Sequence, residues 1–377
     1  MRSVALTLAL CALAAPLSGC LFQHGDGGGS SGGATAEQDV AQYDQLQHEL
    51  EATRSPFLSP GAAALTSAGT RLFWLDFATA APHVHSFDSS TNASVDYGFS
   101  IGGVDVYNMR PSEDLVVTVD TSTSQLVYKA YDVTQPEKLL GSFSLPAPAI
   151  DVKWWAYAPD HGTVYVVVTG AKTELERWQV GDEAPTNLFA FEDVGIQVGD
   201  FEDFGVQGNT LVLIESGRMW SVDLAARHAT FLQNKEEADA AWLGGDGVLY
   251  EAANGPFFFD FSNDSLIDVG KSIEDSGFRL NTTFADAHLY DVAGSSHDGT
   301  SLARWNRHVG YMAESGLFTI DLDTNAVKPL LLDALDDSIV YTSPVFLDDG
   351  TVFVKGLQSN EGDIGVDGPV YRLNVDL

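Results

Sequence analysis

The stretch VQGNTLVLIESGRMWSVD, residues 206–223, contains two elements whose recurrence decides the fold. The first is a polar turn at Gly208 and Asn209, followed by an apolar run with the composition of a β-strand. The second is a strand that follows a Ser-Gly pair and ends at Asp223. Aspartate suits this end because its short side chain can accept a hydrogen bond from the backbone two residues later. The stretch therefore predicts two strands joined by a tight turn, the second ending in an Asp turn.

Both elements recur from about residue 57 to the end of the chain. Further copies of the turn and strand are SAGTRLFWL, RPSEDLVVTV, APDHGTVYVVV, LGGDGVLYEA and LDDGTVFVKG. Further strand endings are Asp88, Asp132, Asp260, Asp321 and Asn374, with a looser copy at Asp182. The endings are spaced by roughly 40 to 60 residues, and each unit has room for four strands. We predict an all-β fold, a β-propeller of seven four-stranded blades. A sandwich or two packed domains is the alternative, which the repeated order of motifs disfavours.

Two resemblances point to the same fold. YDVTQPEKLLGSFSLP, residues 131–146, resembles the LVIVD-type repeat of bacterial surface propellers. HSFDSSTNASVDYGF and FTIDLDTNAVKPLLL resemble the Asp-x-x-Thr turns of pyrroloquinoline-quinone-type propeller repeats, but lack the Gly and Trp that complete them. These resemblances imply a propeller without that cofactor or its dehydrogenase activity, and we expect no cofactor.

Ring closure is a separate question, because the last unit stops on what we interpret as its third strand. An unpaired edge there would favour aggregation. We expect a segment within residues 55–65 to pair with the last blade. The alternative is a three-stranded last blade covered by the helix of residues 36–53.

The N-terminus predicts export and anchoring. Residues 1–19 combine Arg2 with a short apolar run, as in a signal peptide. Leu17-Ser18-Gly19-Cys20 resembles the lipobox of bacterial lipoproteins, which implies lipidation at Cys20 and a membrane partner. An ordinary secretory signal is the alternative. We expect a lipid-anchored protein of the cell envelope, and Leu21 rather than Asp implies the outer membrane if the source is a proteobacterium.

The segments that follow differ in composition. Residues 20–35 are Gly/Ser-rich, which is typical of a flexible tether. Residues 36–56 form an amphipathic helix and linker, in which Val40, Tyr43, Leu46 and Leu50 share one helical face. This helix packs on its own domain or on a partner. We assign residues 57–377 to the propeller.

Charge and cysteine content exclude several classes of function. The chain has 53 acidic and 19 basic residues, a formal net charge of −34, so its field repels nucleic acid. Its two cysteines are Cys11 in the predicted signal peptide and Cys20. The predicted mature domain therefore has no disulfide, thiol nucleophile or cysteine metal ligand.

Two long segments are the candidate binding loops. Residues 271–301 connect units five and six, and residues 356–369 join the second and third strands of unit seven. Both therefore project from the same propeller face, where long loops are functional or are merely variable insertions. The candidate residues are Glu274, Asp275, Asp286, His288, Asp291, His297, Asp298, Glu361, Asp363 and Asp367.

Metal binding is not predicted. The acidic loops could supply oxygen ligands to calcium, but no spacing in them is diagnostic of a calcium site. His83 and His85 lie two residues apart on one strand face, and with no third ligand nearby in sequence we interpret them as surface residues.

No nucleophile elbow, His-Glu-x-x-His or phosphate-binding glycine loop occurs in the sequence. We therefore expect no catalytic residue and predict a non-enzymatic module that binds an envelope protein or glycan. The alternative is an envelope hydrolase or metal-dependent enzyme with its site at the propeller channel. The sequence does not indicate an oligomeric state.

Overall fold

The computed structural model shows a β-propeller, as predicted. It describes residues 45–375 except for 47, 51, 78–82, 101–108, 112–113, 121–124, 136–137, 147–154, 159–161, 170–171, 199–200, 233–236, 245, 253–254, 276–301, 306–307, 314–315, 333–338 and 361–362. Within the described part of the chain, the strands form seven four-stranded antiparallel sheets, which we number as blades 1 to 7.

The first four blades follow one another along the chain. Blade 1 contains β2 (Ala62–Ala68), β3 (Arg71–Asp76), β4 (His83–Asp88) and β5 (Ala93–Ser100). Blade 2 contains β6 (Met109–Pro111), β7 (Leu115–Asp120), β8 (Gln125–Asp132) and β9 (Leu139–Pro146). Blade 3 contains β10 (Trp155–Ala158), β11 (Thr163–Thr169), β12 (Thr173–Gln179) and β13 (Thr186–Ala190). Blade 4 contains β14 (Phe201–Gln207), β15 (Thr210–Glu215), β16 (Arg218–Asp223) and β17 (His228–Leu232).

The last three blades complete the described sheets. Blade 5 contains β18 (Ala238–Gly244), β19 (Gly247–Ala252), β20 (Gly255–Asp260) and β21 (Ser265–Asp268). Blade 6 contains β22 (Leu302–Trp305), β23 (His308–Ala313), β24 (Gly316–Asp321) and β25 (Val327–Leu332). Blade 7 contains β26 (Ile339–Phe346), β27 (Val352–Asn360), β28 (Asp363–Leu373) and β1 (Arg54–Leu58). A 3₁₀ turn (Phe191–Val194) follows blade 3, and the helix α1 (Val269–Asp275) follows blade 5.

The ring of blades is closed by β1, the first described strand of the chain. β1 pairs antiparallel with β28, with Arg54 opposite Leu373, and the N–H of Asn374 donates to the carbonyl of Thr53 at 2.9 Å. The expected pairing of this segment with the last blade is confirmed, and the three-stranded alternative is excluded. β1 begins at Arg54, so the last residues of the predicted linker belong to the sheet.

The segment before β1 is only partly described. Residues 45–46 and 48–50 are helical, and Leu50 is buried within the chain, which favours packing of this end of the helix on its own domain, one of the two alternatives left open by the sequence. The predicted signal peptide, Cys20 and tether lie outside the described residues. In the part of the chain that is described, no helix is both long and apolar enough to span a bilayer.

Successive blades pack face to face through apolar side chains. Between blades 2 and 3, the Tyr128 ring stacks on Phe143 with ring centroids 4.5 Å apart, and Phe143 contacts Trp178 at 4.7 Å. Both faces of a blade meet a neighbour, so its central strands are apolar at consecutive positions, as in Leu115, Val116 and Val117, which are all buried. This packing explains why the strand runs of the sequence lack strict alternation.

The two ends of the blades form two distinct faces. One face carries the turns that join the first strand to the second and the third strand to the fourth. We call it the turn face. The opposite face carries the connections between second and third strands and from one blade to the next, and we call it the loop face.

The predicted Asp turns occur on the turn face. The Asp223 carboxylate accepts hydrogen bonds from the N–H groups of Ala225 and Ala226 at 2.9 and 2.8 Å. The N–H of Leu224 donates to the carbonyl of Asn209, so this turn is fastened to the preceding turn of the same blade. Equivalent backbone bonds are accepted by Asp88, Asp132, Asp260 and Asp321.

Candidate functional site

The second candidate loop is a hairpin rather than an open loop. β27 and β28 continue into residues 356–369, and Asn360 pairs with Asp363 around the two-residue connection 361–362. This corrects the interpretation of 356–369 as a loop, because Asp363 and Asp367 lie in β28. Glu361 lies outside the described residues.

The hairpin is longer than the equivalent hairpins of other blades. β28 has 11 residues, whereas the third strands β16, β20 and β24 have 6 each. Since its far end is the connection between second and third strands, the extra length projects from the loop face. It provides a protrusion made from the chain's own paired strands.

The first candidate loop begins as a helix. Glu274 and Asp275 lie in α1, which contacts β20 and β24 and so bridges blades 5 and 6. The Asp268 carboxylate accepts the N–H of Lys271 at 2.9 Å, and the Lys271 ammonium pairs with exposed Asp275 at 2.6 Å. The remaining candidates of this segment lie outside the described residues: Asp286, His288, Asp291, His297 and Asp298.

A third group on the loop face comes from blade 1. His83 begins β4, opposite Asp76 at the end of β3, and His85 lies opposite Trp74 on one side and Asp96 on the other. Directly opposed residues of antiparallel strands point to the same side of the sheet. The two histidines and the two carboxylates therefore share one surface of this blade.

The side chains of this group approach one another closely. His83 Nδ1 lies 3.7 Å from Asp96 Oδ1, and His85 Nε2 lies 4.0 Å from Asp76 Oδ2. One donor atom from each of His83, His85 and Asp96 lies within 4.8 Å of the others. The imidazole rings are nearly parallel, with centroids 6.4 Å apart. We call His83, His85 and Asp96 the blade 1 triad.

Irregular pairing between β4 and β5 positions the Asp96 carboxylate near the two histidines. His85 pairs with Asp96 but His83 pairs with Ser100, so β5 carries extra residues between these positions. Gly98 takes a φ of +66° there, and its N–H donates to Asp96 Oδ1 at 2.8 Å. A bulge of this kind redirects side chains, and here it turns Asp96 toward His83.

Sequence reasoning missed Asp96. Asp96 is not close to His83 and His85 along the chain and reaches them from the next strand. The Asp-Tyr-Gly run at residues 96–98 was the available signal, because glycine in a strand often marks a bulge.

Comparisons with known proteins support the fold. Neither a protein-family model nor a curated protein matches the sequence. Among solved structures, the chain is similar to a prolyl endopeptidase at 12% identity with a TM-score of 0.54, over 90% of this chain and 50% of that one. It therefore spans about half the length of that enzyme.

Two further structures are similar. An oligogalacturonate lyase from Vibrio parahaemolyticus matches at 9% identity with a TM-score of 0.56, over 85% of this chain and 91% of that chain. A nidogen/laminin complex matches at 10% identity with a TM-score of 0.40, over 56% of this chain and 80% of that chain. The prolyl endopeptidase and the oligogalacturonate lyase are β-propeller-type proteins, and at these identities the likeness concerns the fold alone.

Proposed function

We propose that the chain is a lipid-anchored β-propeller of the cell envelope that binds a protein or glycan partner through its loop face, without catalysis. The observation that carries this proposal is the β27–β28 hairpin, which extends the last blade beyond its neighbours. A rigid scaffold that presents irregular segments on one face is a common arrangement of binding proteins.

The path of the chain supports an orientation in which the loop face points away from the membrane. The fourth strand of a blade runs from the turn face to the loop face, and β1 holds that position in blade 7. Arg54, the first residue of β1, therefore lies at the turn face, beside Leu373. A lipid at Cys20 would attach through this entry point. The turn face would then lie toward the membrane and the loop face would point away from it.

The acidic hairpin indicates the chemistry of the partner. Glu361, Asp363 and Asp367 occur within or beside the hairpin end, in a chain of net charge −34. Long-range attraction favours a partner with a basic surface, and it weakens as salt rises. A cationic protein surface fits this chemistry better than an anionic lipid or nucleic acid does.

The proposal is tested by crosslinking the full-length protein in native membranes, followed by mass spectrometry. Carboxylate-reactive reagents are required because lysines are few and acids are abundant. We expect reproducible links from one envelope component to residues 271–301 or 356–369. Two results would contradict the proposal. One is crosslinks to a partner that lie only on the turn face. The other is crosslinks within the protein but none to any envelope component.

A further inference from the structure

The blade 1 triad combines two half-buried imidazoles with an exposed carboxylate on one surface of a sheet. We propose that His83, His85 and Asp96 bind a first-row divalent transition-metal ion, with Zn²⁺ as the best fit. Metal–ligand bonds of about 2.0–2.2 Å in a tetrahedral site place ligand atoms about 3.4 Å apart. The 3.7 Å between His83 Nδ1 and Asp96 Oδ1 is close to that spacing. The three donor atoms lie within 4.8 Å of one another, so the other pairs must approach by at most about 1.4 Å to reach this spacing.

The ligand types select the class of metal. Calcium and magnesium prefer oxygen ligands, whereas imidazole nitrogen suits Zn²⁺, Cu²⁺ and Ni²⁺. Three protein ligands would leave one tetrahedral position open for water or for a group from outside the chain. The strongly acidic chain raises the local concentration of cations at such a site.

Neighbouring residues hold the ligands in place. The Trp74 indole is buried and stacks on the His85 ring, with centroids 5.4 Å apart and an interplanar angle of 13°. Next to Asp96, the buried Tyr97 donates its hydroxyl to the carbonyl of Val133 in blade 2 at 2.7 Å, which fixes this part of β5. Ligands whose orientation is fixed before binding lose less freedom when the metal arrives.

Asp76 adds a fourth group at the edge of the triad. Its Oδ2 lies 4.0 Å from His85 Nε2, too far for a hydrogen bond but near enough for a small movement to form one. A carboxylate that accepts the N–H of the ring nitrogen not bound to the metal orients a metal-binding histidine and raises its basicity, so this arrangement requires His85 to bind the metal through Nδ1. We assign Asp76 this supporting role.

The test is calorimetric titration of Zn²⁺ into the full-length protein, purified in detergent and stripped with a chelator that is then removed. Sodium chloride at about 150 mM screens weak cation binding to the acidic surface. An excess of Mg²⁺ occupies oxygen-only sites. We expect one Zn²⁺ per chain with micromolar or tighter affinity, and visible absorption bands when Co²⁺ replaces Zn²⁺.

Matched variants locate the ion. His83→Gln and Asp96→Asn each remove a ligand, and the Asn side chain keeps an oxygen that can accept the Gly98 N–H. We expect each variant to weaken Zn²⁺ binding by at least about 10-fold. His228→Gln is the control, because exposed His228 lies opposite Asp223 in blade 4 without a second histidine. Unaltered binding in both ligand variants, or no Zn²⁺ binding by the wild type, would overturn the proposal and leave an ordinary histidine–aspartate contact.

Discussion

The two faces of the propeller differ in how their connections are built. On the turn face, the described third strands of five blades end at an aspartate that accepts backbone hydrogen bonds. On the loop face, the connections include a 3₁₀ turn, the helix α1 and the extended β27–β28 hairpin. The turn face uses the same Asp turn in these five blades, whereas the described connections of the loop face differ from blade to blade. This contrast is the basis on which we propose a stabilising role for the first face and a binding role for the second.

The turn face also fastens the ring where its ends meet. Ser89 of blade 1 donates to the Asp349 carboxylate of blade 7 at 2.6 Å, and the N–H of Asp348 donates to the carbonyl of Gly69 at 2.9 Å. These bonds reinforce the pairing of β1 with β28. Carboxylates of the turn face therefore stabilise both single blades and the closed ring.

The largest effect is expected from acid, which protonates all the turn-face aspartates together. Backbone hydrogen bonds, chiefly from Ala226, lower the pKa of Asp223. Burial raises the pKa of Asp88, but hydrogen bonds from Ser90 and Thr70 outweigh it, and the net pKa lies below its ordinary value. A lowered pKa in the folded state stabilises the fold above the unfolded pKa of about 3.9, and this contribution is lost as pH falls through the folded value.

We therefore expect the urea midpoint of unfolding to fall steeply below about pH 4. The measurement is urea unfolding, followed by tryptophan fluorescence, from neutral pH to about pH 3. In Asp88→Asn the slope should be shallower, because one of the titrating groups is gone. A midpoint independent of pH across this range would refute the stabilising role of the turn-face carboxylates.

Single substitutions compare the two faces directly. Asp88 is buried and accepts hydrogen bonds from Thr70, Arg71 and Ser90, so Asp88→Ala leaves several donors without an acceptor. We expect a loss of about 3 kcal/mol in the free energy of unfolding. Asp96→Ala on the loop face should cost under about 0.5 kcal/mol, because the Asp96 side chain is 55% exposed. Equal losses in equilibrium unfolding would break the contrast between the faces.

Two glycines sharpen the comparison further. Gly98 on the loop face and Gly208 on the turn face have φ values of +66° and +55°, and a Cβ at either would contact nothing within 4 Å. Each Gly→Ala change should therefore cost about 1 kcal/mol, for backbone reasons alone. Only Gly98→Ala should also weaken Zn²⁺ binding, because it disturbs the bulge that holds Asp96. Unfolding and Zn²⁺ titration of both variants test this difference, and equal Zn²⁺ affinities would contradict it.

The sequence could predict the parts of the fold that depend on local pattern. Asp223 and Asp321 bind backbone N–H groups two or three residues away, so their turns were readable from neighbouring residues. Ring closure followed from the need to pair an open edge, although Arg54 and Leu373 are distant in the chain.

The extended hairpin and the blade 1 triad depend on strand register, which the local residue pattern does not reveal. Residues 356–369 contain Gly356, Gly362, Gly365 and Gly368, a composition typical of a loop, yet β27 and β28 pair on both sides of the connection 361–362. Sheet pairing overrides weak strand propensity when neighbouring strands supply the partners. The blade 1 triad was missed for a related reason, because Asp96 reaches His83 only through the irregular pairing of β5.

The smallest effect on stability, and the most direct test of the assignment, comes from two matched pairs of charge reversals. Glu361→Lys with Asp363→Lys alters the hairpin of the loop face. Asp182→Lys with Glu183→Lys alters an exposed acidic turn of the turn face. Both pairs should change the free energy of unfolding by under about 0.5 kcal/mol. The measurement is the amount of crosslink-identified partner that co-purifies with the tagged full-length protein. We predict at least a fivefold loss for the hairpin pair and no change for the turn pair. An equal loss for both pairs, or a loss for the turn pair alone, would contradict the assignment of binding to the loop face.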